Sequence, residues 1–252
     1  MSFSAGADEY EGCTVRCVGP RARRCGELGG VSACEGVGDV GCGSGALAVG
    51  RDRGFGAAAV WAVDPSDRSV AAVRLRHAQV RVEVAWAEKL PFAPQRFDAA
   101  LAQLVVHFMG DPVAGLREMA RVTRADGVVA ACVWDHAGGH GPLSLFWRAA
   151  RELDPNVEDE SRLAGARRGH LGELLYAAGV AAIEETILSV AVEHPSFEEW
   201  WEPFMLGVGP AGAYVGRLDA RRQAQLRDLC RETLPPAPFS VTARAWAARG
   251  HT

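Results

Sequence analysis

The stretch Asp39-Val40-Gly41-Cys42-Gly43-Ser44-Gly45, followed by Val60-Trp61-Ala62-Val63-Asp64-Pro65-Ser66, decides the fold. One apolar run ends in a glycine-rich turn and the next ends in an acid, which is how an open parallel sheet holds a nucleoside at the carboxyl ends of its strands. Gly41, Gly43 and Gly45 let a ligand approach the backbone where a Cβ would collide, and a helix after them offers unpaired N–H groups. Asp64 then stands where a carboxylate accepts the hydroxyls of a ribose.

Two nucleoside cofactors compete for such a crevice. Dinucleotide sites use G-x-G-x-x-G, because a pyrophosphate rests on the helix N-terminus and the third glycine lets helix pack on strand. This chain has G-x-G-x-G instead, with Asp39 just ahead of the first glycine. An acid at the mouth of the loop suits an ammonium and repels a pyrophosphate. The loop therefore favours S-adenosylmethionine, which carries an ammonium, a carboxylate and a sulfonium, and leaves a nicotinamide dinucleotide as the alternative.

At 252 residues the chain has room for one α/β domain with a substantial core, and a single domain over 1–252 is expected. A composition of 48% hydrophobic and 23% charged residues is that of an ordinary globular protein. A net charge of -4, with scattered arginines, argues against a nucleic-acid partner. Met1 to Gly12 lacks a basic or apolar leader, and no apolar run has the length to span a bilayer, so a cytoplasmic protein without membrane insertion is expected. Of seven cysteines, Cys13, Cys17, Cys25 and Cys34 crowd the N-terminal segment. They form no paired C-x-x-C knuckles, and neither a metal site nor a disulfide framework is expected.

From Val37 short apolar runs alternate with amphipathic stretches, the pattern of a doubly wound sheet. Strands are expected at 36–41, 58–64, 80–85, 97–106, 128–135, 183–193 and 239–247. The clearest helix is 112–123, capped by Asp111, opened by Pro112 and closed before Gly127. Further helices are expected at 143–153 and 162–178. The segment 197–234 carries Trp200, Trp201, Phe204 and Met205 and then a charged helix over 219–233. An insert of that size needs a role, and a helical cover over the substrate side is the one expected. Adjacent Trp200 and Trp201 should face different sides of their helix, one in packing and the other against an apolar substrate.

With these runs, Ala87-Glu88-Lys89-Leu90-Pro91-Phe92, Phe97-Asp98-Ala99-Ala100 and Leu116-Arg117-Glu118-Met119-Ala120-Arg121-Val122-Thr123 complete a set. Together they resemble the class I S-adenosylmethionine-dependent methyltransferases, most closely the small-molecule branch that includes the quinone-biosynthesis enzymes. The resemblance is strong from Val37 to Asp135. It implies a Rossmann-like, seven-stranded, mostly parallel sheet with helices on both faces. It also implies that Asp39, Gly41, Cys42, Gly43 and Gly45 hold the methionine end of the cofactor and that Asp64 and Pro65 meet the ribose. Ala87 and Glu88 would flank the adenine, Gln103 would face the cofactor, and His107 would lie at the rim where a small-molecule substrate enters.

Methyl transfer needs alignment and a dry site more than chemical groups. A base is required only for a protonated acceptor, and His107, His136 and His140 are its candidates. The chain departs from the family between Gly12 and Gly36, where glycines and arginines replace an apolar helix face, at Gly38 in the first strand, and at Gly50, Gly54 and Gly56. Trp86 stands where relatives carry a small or acidic residue. These departures raise the alternative of a binding-only or silent relative.

Overall fold

The computed structural model describes residues 36–45, 59–207 and 209–252. The altered segment 12–36, apart from Gly36 itself, therefore lies outside the described residues, as do Gly50, Gly54, Gly56 and the four N-terminal cysteines.

The described chain builds a seven-stranded sheet in the order β3-β2-β1-β4-β5-β7-β6. Its strands are β1 (Val37–Val40), β2 (Val60–Asp64), β3 (Arg81–Val84), β4 (Phe97–Gln103), β5 (Thr123–Trp134), β6 (Ala181–His194) and β7 (Phe239–His251). β1 to β5 are mutually parallel, whereas β7 runs antiparallel between β5 and β6. The helices are α1 (Asp67–Arg76), α2 (Pro112–Val122), α3 (Ser144–Leu153), α4 (His170–Ala177), α5 (Phe197–Met205), α6 (Gly209–Arg217) and α7 (Ala220–Thr233).

Alternation along the strands divides the core between the two faces. Ala130, Cys132 and Trp134 of β5 join Val70 and Val73 of α1 in one buried layer. Val129, Ala131 and Val133 join Leu116, Met119 and Val122 of α2 and Leu171 and Leu175 of α4 in the other. A third, aromatic core lies off the sheet, where Phe146 and Trp147 of α3 meet Trp200, Trp201, Phe204, Tyr214 and Phe239.

Gly38 is compensated across the sheet. A Cβ there would lie 3.2 Å from Cδ2 of Phe97, so the ring of β4 fills the space that a large side chain on β1 would take. Phe97 reaches that face because the register shifts between Phe97 and Ala99. Phe92 meets it edge-on at 5.0 Å, and Trp61 lies 6.4 Å away.

Some expected boundaries change. β5 starts at Thr123 and not at 128, because Gly127 sits inside the strand at the same irregularity, where a Cβ would lie 2.7 Å from the Asp98 carbonyl oxygen. β4 stops at Gln103 and not at 106: Leu104 adopts φ 58°, and a short 3-10 turn covers Val106–Phe108. The helix expected over 162–178 is only His170–Ala177, since Gly165 and Gly169 take left-handed conformations (φ 77° and 80°). Trp200 and Trp201 do not divide between packing and substrate. Both are 5% exposed, with Trp201 stacked on Phe197 and Trp200 edge-on to Phe204.

Overpacking this strand pair gives a test. Gly38→Val should cost about 1–3 kcal/mol in urea unfolding. In a Phe97→Leu background, where the ring is gone, the same substitution should cost measurably less. Equal costs in both backgrounds would mean that Phe97 is not what fills the space.

Candidate functional site

β1 and β2 pair with Asp39 opposite Ala62 and Val40 opposite Val63, so their carboxyl ends lie side by side. The N–H groups of Gly41 and Cys42 both donate to the Val63 carbonyl, at 2.8 and 3.0 Å. Gly41 has φ +73°, and a Cβ there would lie 2.3 Å from Cγ2 of Val105. The turn after β1 thus passes directly against the turn after β4. Val105 reaches that point because Leu104 accepts a left-handed backbone, at a cost of about 1–2 kcal/mol, while its N–H donates to Cys132 O at 2.9 Å.

Asp64 ties the crevice together. Its Oδ2 accepts from Gly43 N–H and its Oδ1 from Ser66 N–H, each at 2.9 Å. Ser66 in turn caps α1 through Ser69 N–H. Asp64 therefore initiates a turn, one bland role open to an Asp before Pro65, and also reaches back to the glycine loop. Each carboxylate oxygen retains acceptor capacity for a further donor. Burial pushes this carboxyl upward, against the pull of the Ser66 and Gly43 N–H groups and the Ser69 side chain. Pro65 is exposed beside it.

Asp39 is 1% exposed on β1, between Ala62 of β2 and Leu101 of β4. Burial first, then the Asp39 and Asp64 carboxylates, drive the Cys42 thiol upward, so it is held as an unreactive thiol. A Cβ on Gly43 would meet no described atom within 4 Å. Two carboxylates around an open glycine turn fit a cationic nucleoside bearing an ammonium and ribose hydroxyls. They oppose a diphosphate.

The loop after β3 is pinned from α2. Glu118 accepts from Leu90 N–H at 2.9 Å, and Arg121 donates to the carbonyls of Phe92 (2.9 Å) and Leu90 (3.2 Å). The Arg121 hydrogen bond holds the Glu118 carboxyl below its ordinary value. Ala87 is buried at the start of this loop. The Glu88 side chain turns to the next loop, where its Oε1 accepts from Gly110 N–H (2.7 Å) and Asp111 N–H (3.1 Å).

Gln103 ends β4 opposite Cys132 of β5. His107 follows in the 3-10 turn, 8% exposed, its ring 4.0 Å from that of Phe108 and 5.8 Å from that of His136. His136 is also 8% exposed, with Nδ1 3.9 Å from Oε2 of Glu160. That oxygen accepts from Trp147 Nε1 at 2.9 Å, which joins this polar cluster to the aromatic core. His107 Nδ1 and His136 Nε2 are buried without a hydrogen-bond partner among the described residues. Burial, then the His136 ring, pushes His107 down to about 3; burial pushes His136 down to about 4 despite Asp159 and Asp135. Burial pushes Glu160 up to about 7. His140 is the outlier of the three expected histidines. Its side chain is 48% exposed, with Nδ1 2.9 Å from Asp135, whose other oxygen accepts from Gly138 N–H and Trp246 Nε1.

Glu160 was invisible in the sequence, because it sits in the polar run Asp154-Pro155-Asn156-Val157-Glu158-Asp159-Glu160 that reads as a solvated loop. Only its bond to Trp147 across the chain marks it as buried. Among the described residues no cluster of His, Cys, Asp or Glu has the grouping of a metal site, and no helix is long and apolar enough to cross a membrane.

Known proteins resemble this chain in sequence and in fold. Residues 38–131 match the methyltransferase domain family. The chain is 27% identical over 222 residues to the uncharacterized protein Rv1403c of Mycobacterium tuberculosis, covering 81% of this chain and 77% of that one. The fold is shared with the YcgJ protein of Bacillus subtilis, at TM-score 0.59 and 18% identity, over 92% of this chain and 98% of the other. It is also shared with a SAM-dependent methyltransferase of Thermotoga maritima, at TM-score 0.56 and 18% identity, over 97% and 94%. The chain thus carries, over residues 38–131, a stretch similar to the methyltransferase domain family, set in a fold shared with these structures.

The buried histidines set an acid response. Their folded values lie below the ordinary 6.5, so the stability they contribute is complete above pH 6.5 and is lost as pH falls towards 4. Glu160 runs oppositely, because its value is raised from 4.5 to about 7 and stability falls as pH rises through that window. Two groups outweigh one, so this cluster makes stability rise with pH between 4.5 and 6.5. His107→Gln removes one proton from that balance and should flatten the slope by about 1.4 kcal/mol per pH unit, read from urea midpoints across the window.

Proposed function

We propose that this protein transfers a methyl group from S-adenosylmethionine to a small-molecule acceptor in the cytoplasm. The observation that carries the reading is the Asp64 carboxylate, bonded to Gly43 and Ser66 N–H, beside the buried Asp39. Bound in that crevice, S-adenosylmethionine supplies a methyl group on a sulfonium, which leaves as a neutral thioether.

The chain's own residues do the rest. Asp39 and the turn Gly41, Cys42, Gly43 and Gly45 hold the cationic methionine end. Asp64 accepts the ribose hydroxyls, with Pro65 bordering them. Ala87 and Glu88 flank the adenine through backbone groups, since the Glu88 side chain is committed to Gly110 and Asp111. Gln103 faces the donor, and His107 borders the acceptor. The insert 197–234 walls the acceptor side through α3, where Phe204 stacks on Phe146 at 4.6 Å. Together these groups align two reactants and exclude water, and alignment of this kind is worth about 7–11 kcal/mol.

Titration calorimetry tests the donor site. S-adenosylmethionine and S-adenosylhomocysteine should both release or absorb heat on binding, and a nicotinamide dinucleotide should not. Asp64→Asn should weaken S-adenosylhomocysteine about 10-fold or more, the loss of hydrogen bonding to a charged acceptor, with the fold checked by thermal unfolding. Binding of the dinucleotide alone would reverse the assignment.

A further inference from the structure

The glycine turn and Asp64 lie at the carboxyl end of β1 and β2, and the opposite end of the sheet carries a concentration of positive charge that methyl transfer does not use. Trp61, near the start of β2, is half-buried, and two exposed arginines stand over its ring. The guanidinium carbon of Arg81 lies 4.5 Å from the ring centroid and that of Arg96 lies 4.9 Å from it. Arg81 is directly opposite Trp61 on β3, whereas Arg96 leads into β4 beside Gly36, on the β1 side. The indole is thus flanked from both sides of β2.

The surroundings hold this arrangement in place. Trp61 meets Phe92 edge-on at 5.9 Å, and Arg96 also lies over Phe97 at 5.6 Å. The backbone entering β4 is tied to the end of α2, where Gln95 and Arg96 N–H donate to the Arg121 and Val122 carbonyls at 2.9 and 2.7 Å. The acids of this end are engaged elsewhere. Asp98 accepts from Arg124 Nε and from Gly36 N–H, and Glu118 holds Arg121. Arg81, Arg96 and the Trp61 indole N–H make no side-chain hydrogen bond or ion pair to a described residue, and Glu83 on β3 pairs with neither guanidinium. A guanidinium stacked on a ring uses its face and keeps the N–H donors of its edge free. Two such edges, fixed in advance, have already given up most of the side-chain freedom that binding would otherwise cost.

We infer that Arg81 and Arg96, spaced by Trp61, bind a ligand bearing a diphosphate group at the amino end of the sheet, a second site separate from the donor crevice.

The chemistry of the ligand follows from the spacing of the two cations. One carboxylate or sulfate fills one guanidinium fork, and two forks separated by a ring call for two anionic groups joined by a short bridge. A diphosphate carries terminal oxygens on two adjacent phosphorus atoms and can accept from both forks at once. Its charge meets two cations and no competing carboxylate, the reverse of the glycine turn, where Asp39 and Asp64 repel it. A nucleic-acid strand requires a longer basic track, which a chain of net charge -4 with scattered arginines does not offer.

Calorimetry with inorganic pyrophosphate on the full chain tests the site. Pyrophosphate should bind at millimolar concentration or below, and orthophosphate, sulfate and succinate should bind about 10-fold more weakly or less. ADP should match pyrophosphate, and AMP should not. Arg81→Gln and Arg96→Gln should each weaken pyrophosphate about 10-fold, and Arg96→Lys should weaken it as well, because an ammonium neither stacks flat nor offers a fork. Arg148→Gln, at an exposed position on α3, should change nothing, which separates a site from general charge. The Trp61 indole N–H signal in an NMR titration, assigned by its loss in Trp61→Phe, should move as pyrophosphate is added. Saturating S-adenosylhomocysteine should leave the affinity intact; if that ligand fails to bind, the donor reading fails and the arginine variants still decide this one. Wild-type affinity in both glutamine variants, displacement by S-adenosylhomocysteine, AMP bound as well as ADP, or single-stranded RNA bound more tightly than ADP would each overturn the inference.

Discussion

One carboxylate couples the turns that follow β1 and β2. Asp64 ends β2, yet half of its hydrogen bonding goes to Gly43 in the turn after β1 and half to Ser66 at the start of α1. The loop leaving one strand is therefore held by the acid leaving the next. Charge-assisted bonds to backbone N–H are strong enough to hold a turn whose glycines cost conformational entropy. The same atoms that shape the loop are those left with spare acceptor capacity, so the carboxylate that builds the crevice also leaves acceptors facing it.

Around this pair the other loops are set by contacts that cross from one motif to another. Gly41 admits Val105 because it has no Cβ, which would lie 2.3 Å from Val105 Cγ2 and 2.8 Å from Val105 Cβ; Val105 follows the left-handed Leu104. Glu118 and Arg121, on a helix, satisfy the backbone of Leu90 and Phe92 in a loop, while Glu88 in that loop satisfies Gly110 and Asp111 at the head of the same helix. This reciprocity explains why the two sequence motifs occur together. Each supplies the partners for the other's backbone groups: part-buried ones at Leu90 and Phe92, exposed ones at Gly110 and Asp111.

The sheet, its two faces and the turn that meets Asp64 were legible because they rest on local patterns: apolar alternation, a glycine spacing and an acid at a strand end. Helix α2 was legible for the same reason, with Asp111 and Pro112 marking its start and its apolar face repeating at helical period. What failed is what depends on distant partners. Gly38 reads as a defect until Phe97 is seen across the sheet, and that in turn depends on a register shift no local pattern encodes. Trp200 and Trp201 read as amphipathic, but α3 and α6 meet their helix from several sides, so both are core. Glu160 reads as solvent-facing because its only signal is an indole N–H thirteen residues away.

The histidine cluster beyond β4 and β5 carries a cost of burial. Two imidazoles and a carboxyl buried there forgo the hydration of their charged forms, the imidazolium in one case and the carboxylate in the other. The aromatic core offsets that loss locally. Trp147 has one face among Phe146, Tyr214 and the rest of the insert, and its N–H ends on Glu160. The insert therefore bears on the histidines through packing: by fixing the indole it fixes the Glu160 carboxyl, whose Oε2 lies 3.9 Å from His136 Nδ1. A loss of packing in the insert would therefore reach Glu160 and His136 through Trp147, although both lie outside the insert itself.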